Sequence, residues 1–187
     1  ILMGAMTLCY PGAIACAKQA KLLLGEDNVC IVLGGRHACE TMWFNSERNV
    51  VEHQAGSPLL HQSREQIDSV FDFVVSGDGE YIIAALGEVI GHKKNSLSIT
   101  AHIKNQLPRL KQAAGRWILG WNDGSDIHTE MNAVPINYNL TPSPVSVFGA
   151  TSGFDIYPGR KTAHVFSDVG RGCAYDCHFC SERRSVA

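Results

Sequence analysis

Three times in its first ninety residues the chain runs from a short apolar stretch into small or polar residues and then into a helical pattern. No other feature restricts the fold as much. Residues 1–7 form the first apolar run, residues 8–12 a turn, and residues 13–24 a helix in which Ile14, Ala17, Ala20, Lys21 and Leu24 recur at i, i+3, i+4 spacing. Gly25 and Asn28 break that helix. Val29-Cys30-Ile31-Val32-Leu33 is continuously apolar and stops at Gly34-Gly35. Phe71-Asp72-Phe73-Val74-Val75 stops at Ser76-Gly77-Asp78-Gly79-Glu80, with a helix expected from Tyr81 to about Ile90. Such runs suit strands buried on both faces of a parallel sheet. Strand, loop and helix in this order predict an α/β fold, a doubly wound parallel sheet of Rossmann-like type.

In such sheets ligands sit beyond the carboxyl ends of the strands. Three loops share that rim: Thr7, Leu8, Cys9 and Tyr10; Gly34, Gly35, Arg36 and His37; and Ser76, Gly77, Asp78, Gly79 and Glu80. Glycine there lets a ligand approach the backbone closely, although tight strand-to-helix turns use it as well. The remaining segments are less periodic. Residues 38–45 read as a short helix, 52–63 as a loop excursion, and 64–70 as the lead into the third strand. Ile99, Ile103, Leu107 and Leu110 line a helix that Pro108 kinks or ends. Residues 117–121, an Asp-Gly turn at 122–125 and residues 126–130 make a hairpin, with Trp117 and Trp121 on one apolar face. Prolines at 142, 144 and 158 mark a linker. The expected division is a domain over 1–136, a linker over 137–160, and the start of a second domain over 161–187.

That last segment holds Cys173, Cys177 and Cys180 in a CxxxCxxC array. Three thiolates this close can grip a four-iron four-sulfur cluster and leave one iron open for another ligand. Structural zinc is usually four-coordinate, and would need a distant fourth ligand such as His164. A disulfide framework is disfavoured by an odd cysteine count, seven, with no apolar signal segment at the start. Cys9, Cys16, Cys30 and Cys39 match no metal-ligand spacing, and Cys30, within an apolar run, reads as core.

The formal charge is −2, with no long basic run, so sequence-independent binding to nucleic acid is not indicated. No apolar stretch approaches the ~18 residues of a membrane span. The expected location is a reducing cytoplasm, where thiols and an oxygen-sensitive cluster survive. The apolar opening at Ile1 reads as a strand that begins in mid-sequence, and 26 residues from 162 onward fall far short of a whole α/β barrel of about 250.

Gly34-Gly35-Arg36-His37-Ala38 resembles a "GGxHAT" strand end, and residues 74–80 a "VxGEGE" strand end, with Asp78 in place of the first glutamate. The hairpin, the proline-bearing linker and an "RGCxxxCxFC" array follow in order. Together they resemble the cobalamin-dependent radical S-adenosylmethionine (SAM) enzymes, over roughly residues 1–184. The resemblance implies a cobalamin-binding domain that holds the corrinoid at the rim, its nucleotide tail between sheet and helices. After it come the first strand and cluster loop of a radical SAM barrel. It also implies a methyltransferase that methylates an unactivated carbon with SAM, methylcobalamin and the cluster. Its partners would be a small-molecule or peptide substrate and a reducing donor such as flavodoxin or ferredoxin. The alternative is a cobalamin-binding module or truncated fragment without independent catalysis. No DxHxxG sequence occurs, so a lower-axial histidine is not evident, and His37 is expected to steady the turn rather than bind cobalt. No side chain is singled out as catalytic.

Overall fold

The computed structural model describes residues 1–93 and 97–137. Its first strand, β1 (Leu2–Gly4), leads through a 3-10 turn at Thr7–Cys9 into α1 (Tyr10–Leu24). Pro11 lies in the first turn of α1, where a missing N–H is tolerated and the fixed φ suits a helix. The helix therefore begins at Tyr10, inside the expected turn. β2 (Val32–Gly34), α2 (Arg36–Thr41), β3 (Met42–Asn45), β4 (Val50–His53), α3 (Pro58–Ser63) and β5 (Phe73–Gly77) follow. Then come α4 (Glu80–Gly91), α5 (Ile99–Asn105), α6 (Leu107–Leu110), β6 (Gly115–Asp123) and β7 (Asp126–Val134).

The main sheet is mixed, in the order β1-β2-β5-β6-β7. β1, β2 and β5 are parallel neighbours, with Leu2 opposite Val32 and Val32 opposite Phe73. β6 returns antiparallel along β5, and β7 pairs with β6 from Gly115 opposite Val134 to Asp123 opposite Asp126. The expectation of a parallel sheet thus holds for three strands only. The reason is the Asp-Gly turn: with Gly124 at φ +61°, it joins two strands that can only be antiparallel, and both add to the same sheet.

Other segments differ from the sequence reading in instructive ways. The helix expected over 38–45 stops at Thr41, whose Oγ1 donates to the His37 carbonyl at 2.7 Å. Trp43 and Phe44 then favour a strand, which pairs with β4 as a separate two-stranded sheet. The loop excursion expected over 52–63 therefore contains the end of β4 and all of α3. Around Pro108 there are two short helices, and the proline stands in the first turn of the second.

Both faces of the central strands are covered, but β1, expected to be buried on both faces, is an edge strand and largely exposed, Leu2 to 59%. On one face, Ala5, Tyr10, Ala17, Ile31, Leu33, Leu59, Phe71, Val74 and Ile118 form a core with α1, α2 and α3. On the other, Val32, Phe73, Val75, Ile82, Leu86, Ile103, Trp117 and Trp121 pack with α4, α5 and α6. The two tryptophans form the expected apolar cluster, Trp121 edge-on to Phe73 at 6.2 Å between ring centroids. Cys30 is buried there, and burial pushes its thiol up to about 11. Gly120 lies where α3 meets the sheet: a Cβ on it would come within 2.5 Å of Leu59 Cδ1. Below the parallel strands, Asp72 accepts from Lys21 Nζ (3.0 Å), the Ile31 amide (2.8 Å) and Thr100 Oγ1 (3.1 Å), tying α1, the run into β2, and α5 to one carboxylate. Among the described residues no helix is long and apolar enough to cross a membrane.

Candidate functional site

Because β1, β2 and β5 run parallel, their carboxyl ends lie on one edge, and the three predicted loops meet there. Ala5 joins the first two: its amide donates to the Gly34 carbonyl (3.1 Å), and its carbonyl accepts from the His37 amide (2.9 Å). Gly35 has φ +85°, and a Cβ would stand 3.0 Å from the Ala5 nitrogen, so the crossing requires glycine. Cys39 joins the second loop to the third, its Sγ accepting from the Gly77 amide at 3.3 Å. Gly77 is more tightly held. Its φ is +89°, and a Cβ would overlap the Arg116 carbonyl oxygen at 2.2 Å.

The thirteen predicted rim residues divide by direction. Tyr10, His37, Ser76 and Asp78 are buried. Ser76 Oγ donates to the Met42 carbonyl at 2.6 Å. Asp78 clamps the start of β6: its amide donates to the Arg116 carbonyl (2.8 Å), and its Oδ2 accepts from the Arg116 amide (2.9 Å). Thr7, Leu8, Cys9, Arg36 and Glu80 are exposed, and Gly34, Gly35, Gly77 and Gly79 are half-buried or exposed. Thr7 Oγ1 donates to Glu40 Oε2 (2.5 Å), whose other oxygen meets Arg36 Nε at 2.7 Å. This chain of contacts ties the first loop to α2.

His37 is only 3% exposed and stacks on Tyr10 with ring centroids 4.0 Å apart. Its Nδ1 lies 3.4 Å from Thr7 Oγ1, and its Nε2 has no hydrogen-bond partner among the described residues. Burial lowers its pKa below the ordinary 6.5; the Gly56 backbone and the Glu40 charge oppose that only in part. Burial also pushes Tyr10 up to about 12. Buried and stacked on Tyr10, the His37 ring braces the loop from within.

A groove of ≈180 Å³ opens on the α4 side of this rim. Gly4, Gly34, Gly35, Gly77 and Gly79 line it together with Leu2, Val32, Val75 and Ile83. A Cβ on Gly4 would meet nothing within 4 Å, so any side chain there would take space from the groove. The first turn of α4 adds backbone N–H groups without helical partners. The rim glycines were legible in the sequence, but Gly4, Leu2 and Ile83 were not singled out. Their signal was available in part: Leu2 and Gly4 share a face by the two-residue period of a strand.

Among the described residues no cluster of three or more His, Cys, Asp or Glu side chains could hold a metal ion. The expected cluster ligands Cys173, Cys177 and Cys180, and the linker expected over 137–160 beyond its first residue, lie outside the described residues. No protein-family model, curated protein or solved structure matches the chain.

Proposed function

We propose that this chain is the corrinoid-holding and early-barrel part of a cobalamin-dependent radical SAM enzyme, a methyltransferase acting on an unactivated carbon. The observation that carries this reading is the glycine-lined groove at the carboxyl ends of β1, β2 and β5. At ≈180 Å³ it would take one edge of the corrinoid or part of its nucleotide tail and not the whole group; five glycines border it, a Cβ on Gly4 would meet nothing within 4 Å, and Leu2, Val32, Val75 and Ile83 make it apolar. A Rossmann-like domain accounts for the helices on both sheet faces and the rim above the parallel strands, with the hairpin as an antiparallel extension. The second support is the array Cys173, Cys177 and Cys180, which suits a four-iron cluster with an open iron.

Together a corrinoid, SAM and such a cluster supply methyl-carrying and radical chemistry that protein side chains lack. The chain's own residues have positioning work. Gly35 and Gly77 fix the loops, the Thr7–Glu40–Arg36 contacts steady the first of them, and His37, buried under Tyr10, braces the rim from below. In this reading the substrate is a small molecule or peptide, the electron donor is of flavodoxin or ferredoxin type, and the setting is a reducing cytoplasm.

The test is anaerobic reconstitution of the full chain with cobalamin, iron and sulfide, followed by desalting, absorption spectroscopy and iron analysis. Retained corrinoid bands with a broad cluster absorption are expected. Replacing Cys173, Cys177 or Cys180 with alanine should remove the iron and leave the corrinoid. Corrinoid without iron in the unmodified chain would reduce the reading to a corrinoid-binding module. Failure to retain any corrinoid would overturn it.

A further inference from the structure

A second cavity lies apart from the glycine groove. Between the β3–β4 hairpin and strands β5 to β7 is a space of ≈180 Å³, walled by Trp43 and Phe44 on one side and Trp117, Ile118 and Met131 on the other. Phe44, Ile118 and Met131 pack with the core on the α1 side, whereas Val32 and Val75 of the glycine groove belong to the core on the α4 side. Among the described residues only Gly77, at the end of β5, borders both.

The polar side chains of this lining are already used within the protein. Ser76 Oγ donates to the Met42 carbonyl, Asn132 Nδ2 to the Ala113 carbonyl at 2.7 Å, and Trp117 Nε1 to the same carbonyl at 3.0 Å. Cys39 Sγ accepts from the Gly77 amide, and Arg116 has a partner of its own. What the lining offers an occupant is ring and aliphatic surface, so selection falls on shape rather than on charge. An apolar void of about 150 Å³ accommodates benzene, and this one admits a single six-membered ring with a small substituent. Three aromatic residues and a thioether favour an aromatic ring over a saturated one, through contacts beyond area burial.

We propose that this cavity binds small molecules built on one aromatic ring, the ring lying between Phe44 and Met131. The site stands independently of the corrinoid reading.

The chain's four methionines supply the assay. Met131 lines this cavity, Met3 lines the glycine groove, and Met6 is 62% exposed. In the full chain labelled with methyl-¹³C methionine, benzyl alcohol should shift the Met131 resonance saturably, with a Kd on the order of 1 mM, and leave Met3 and Met6 in place. Cyclohexylmethanol and 2-naphthalenemethanol are both more apolar, so general hydrophobic adsorption would favour them. Both should nonetheless bind no more tightly than benzyl alcohol, the first for want of an aromatic face and the second for want of space. Phe44→Leu should weaken benzyl alcohol at least about threefold and leave cyclohexylmethanol within about twofold. The proposal fails if Met131 shows no saturable shift up to about 10 mM, if the saturated or the fused-ring alcohol binds more tightly than benzyl alcohol, or if Met3 and Met6 move with Met131. It fails equally if a folded Phe44→Leu variant keeps full affinity. The ligand comparison on unmodified protein decides the matter even if the Phe44 variant does not fold.

Discussion

The parallel and antiparallel halves of the one sheet are built on different terms. β6 and β7 are nine residues each and pair along their whole length, closed by a two-residue turn, so the backbone groups they turn toward each other are satisfied locally. β1, β2 and β5 are three to five residues long, and beyond their ends the chain turns through glycine-rich loops held by contacts between loops. The hairpin is stable by repetition. The parallel half is held at particular points, and its open end carries the glycine-lined groove.

Two glycines, one in each half, give the sharpest contrast. Both occupy the left-handed region, Gly77 at φ +89° and Gly124 at +61°, but a Cβ on Gly77 would overlap the Arg116 carbonyl whereas one on Gly124 would meet nothing. Gly77→Ala should cost about 4 kcal/mol or more, read as a lost or strongly lowered unfolding midpoint in urea. A midpoint shift no larger than that of Gly124→Ala would break the comparison. Next in size, Asp72→Ala leaves Lys21 without its partner where both side chains are only 12% exposed, and should cost about 3 kcal/mol by the same measurement. Gly124→Ala carries conformational strain alone, about 1 kcal/mol. Gly4→Val should change stability by less than about 0.5 kcal/mol, since its side chain enters open space in a strand that favours β-branched residues. The same change should lower corrinoid retention at least about tenfold by filling the groove. Retention unchanged in that variant would remove the groove from the proposed function.

The smallest effect is one of pH. His37 and His53 both have pKa values lowered by burial, so the folded state favours their neutral forms. Their contribution is fully present above the ordinary 6.5 and is lost as pH falls below it, because the unfolded chain then binds more protons. Melting temperature should decline between pH 7 and 5, and His37→Gln should flatten part of that slope. An unchanged slope would place the sensitivity elsewhere.

Much of this was readable from residues. The strands of the parallel half announce themselves as continuous apolar runs ended by glycine, and the hairpin by Asp123-Gly124 between apolar segments. What escaped was set by contacts distant in sequence. Trp43 and Phe44 become a strand because residues 50–53 return to pair with them, and no local period records that pairing. Asp78 looks like a rim carboxylate, yet it is used against the Arg116 backbone, 38 residues away. His37, a predicted rim residue, is buried because Tyr10 folds over it, one residue before the position where the expected turn meets its proline. Local pattern locates the loops; which side chains stay accessible depends on what packs beneath them.

Asp72 also bears on the order in which the molecule assembles. Its three partners lie 51, 41 and 28 residues away, so the carboxylate can be satisfied only after three long loops have closed. Interactions of that kind form late, and their loss falls on the escape rate from the native state. Stopped-flow measurements on Asp72→Ala should show unfolding accelerated by most of the stability lost and refolding nearly unchanged. The carboxylate would then act as a latch on the finished sheet, setting how long a folded molecule lasts more than how soon it forms.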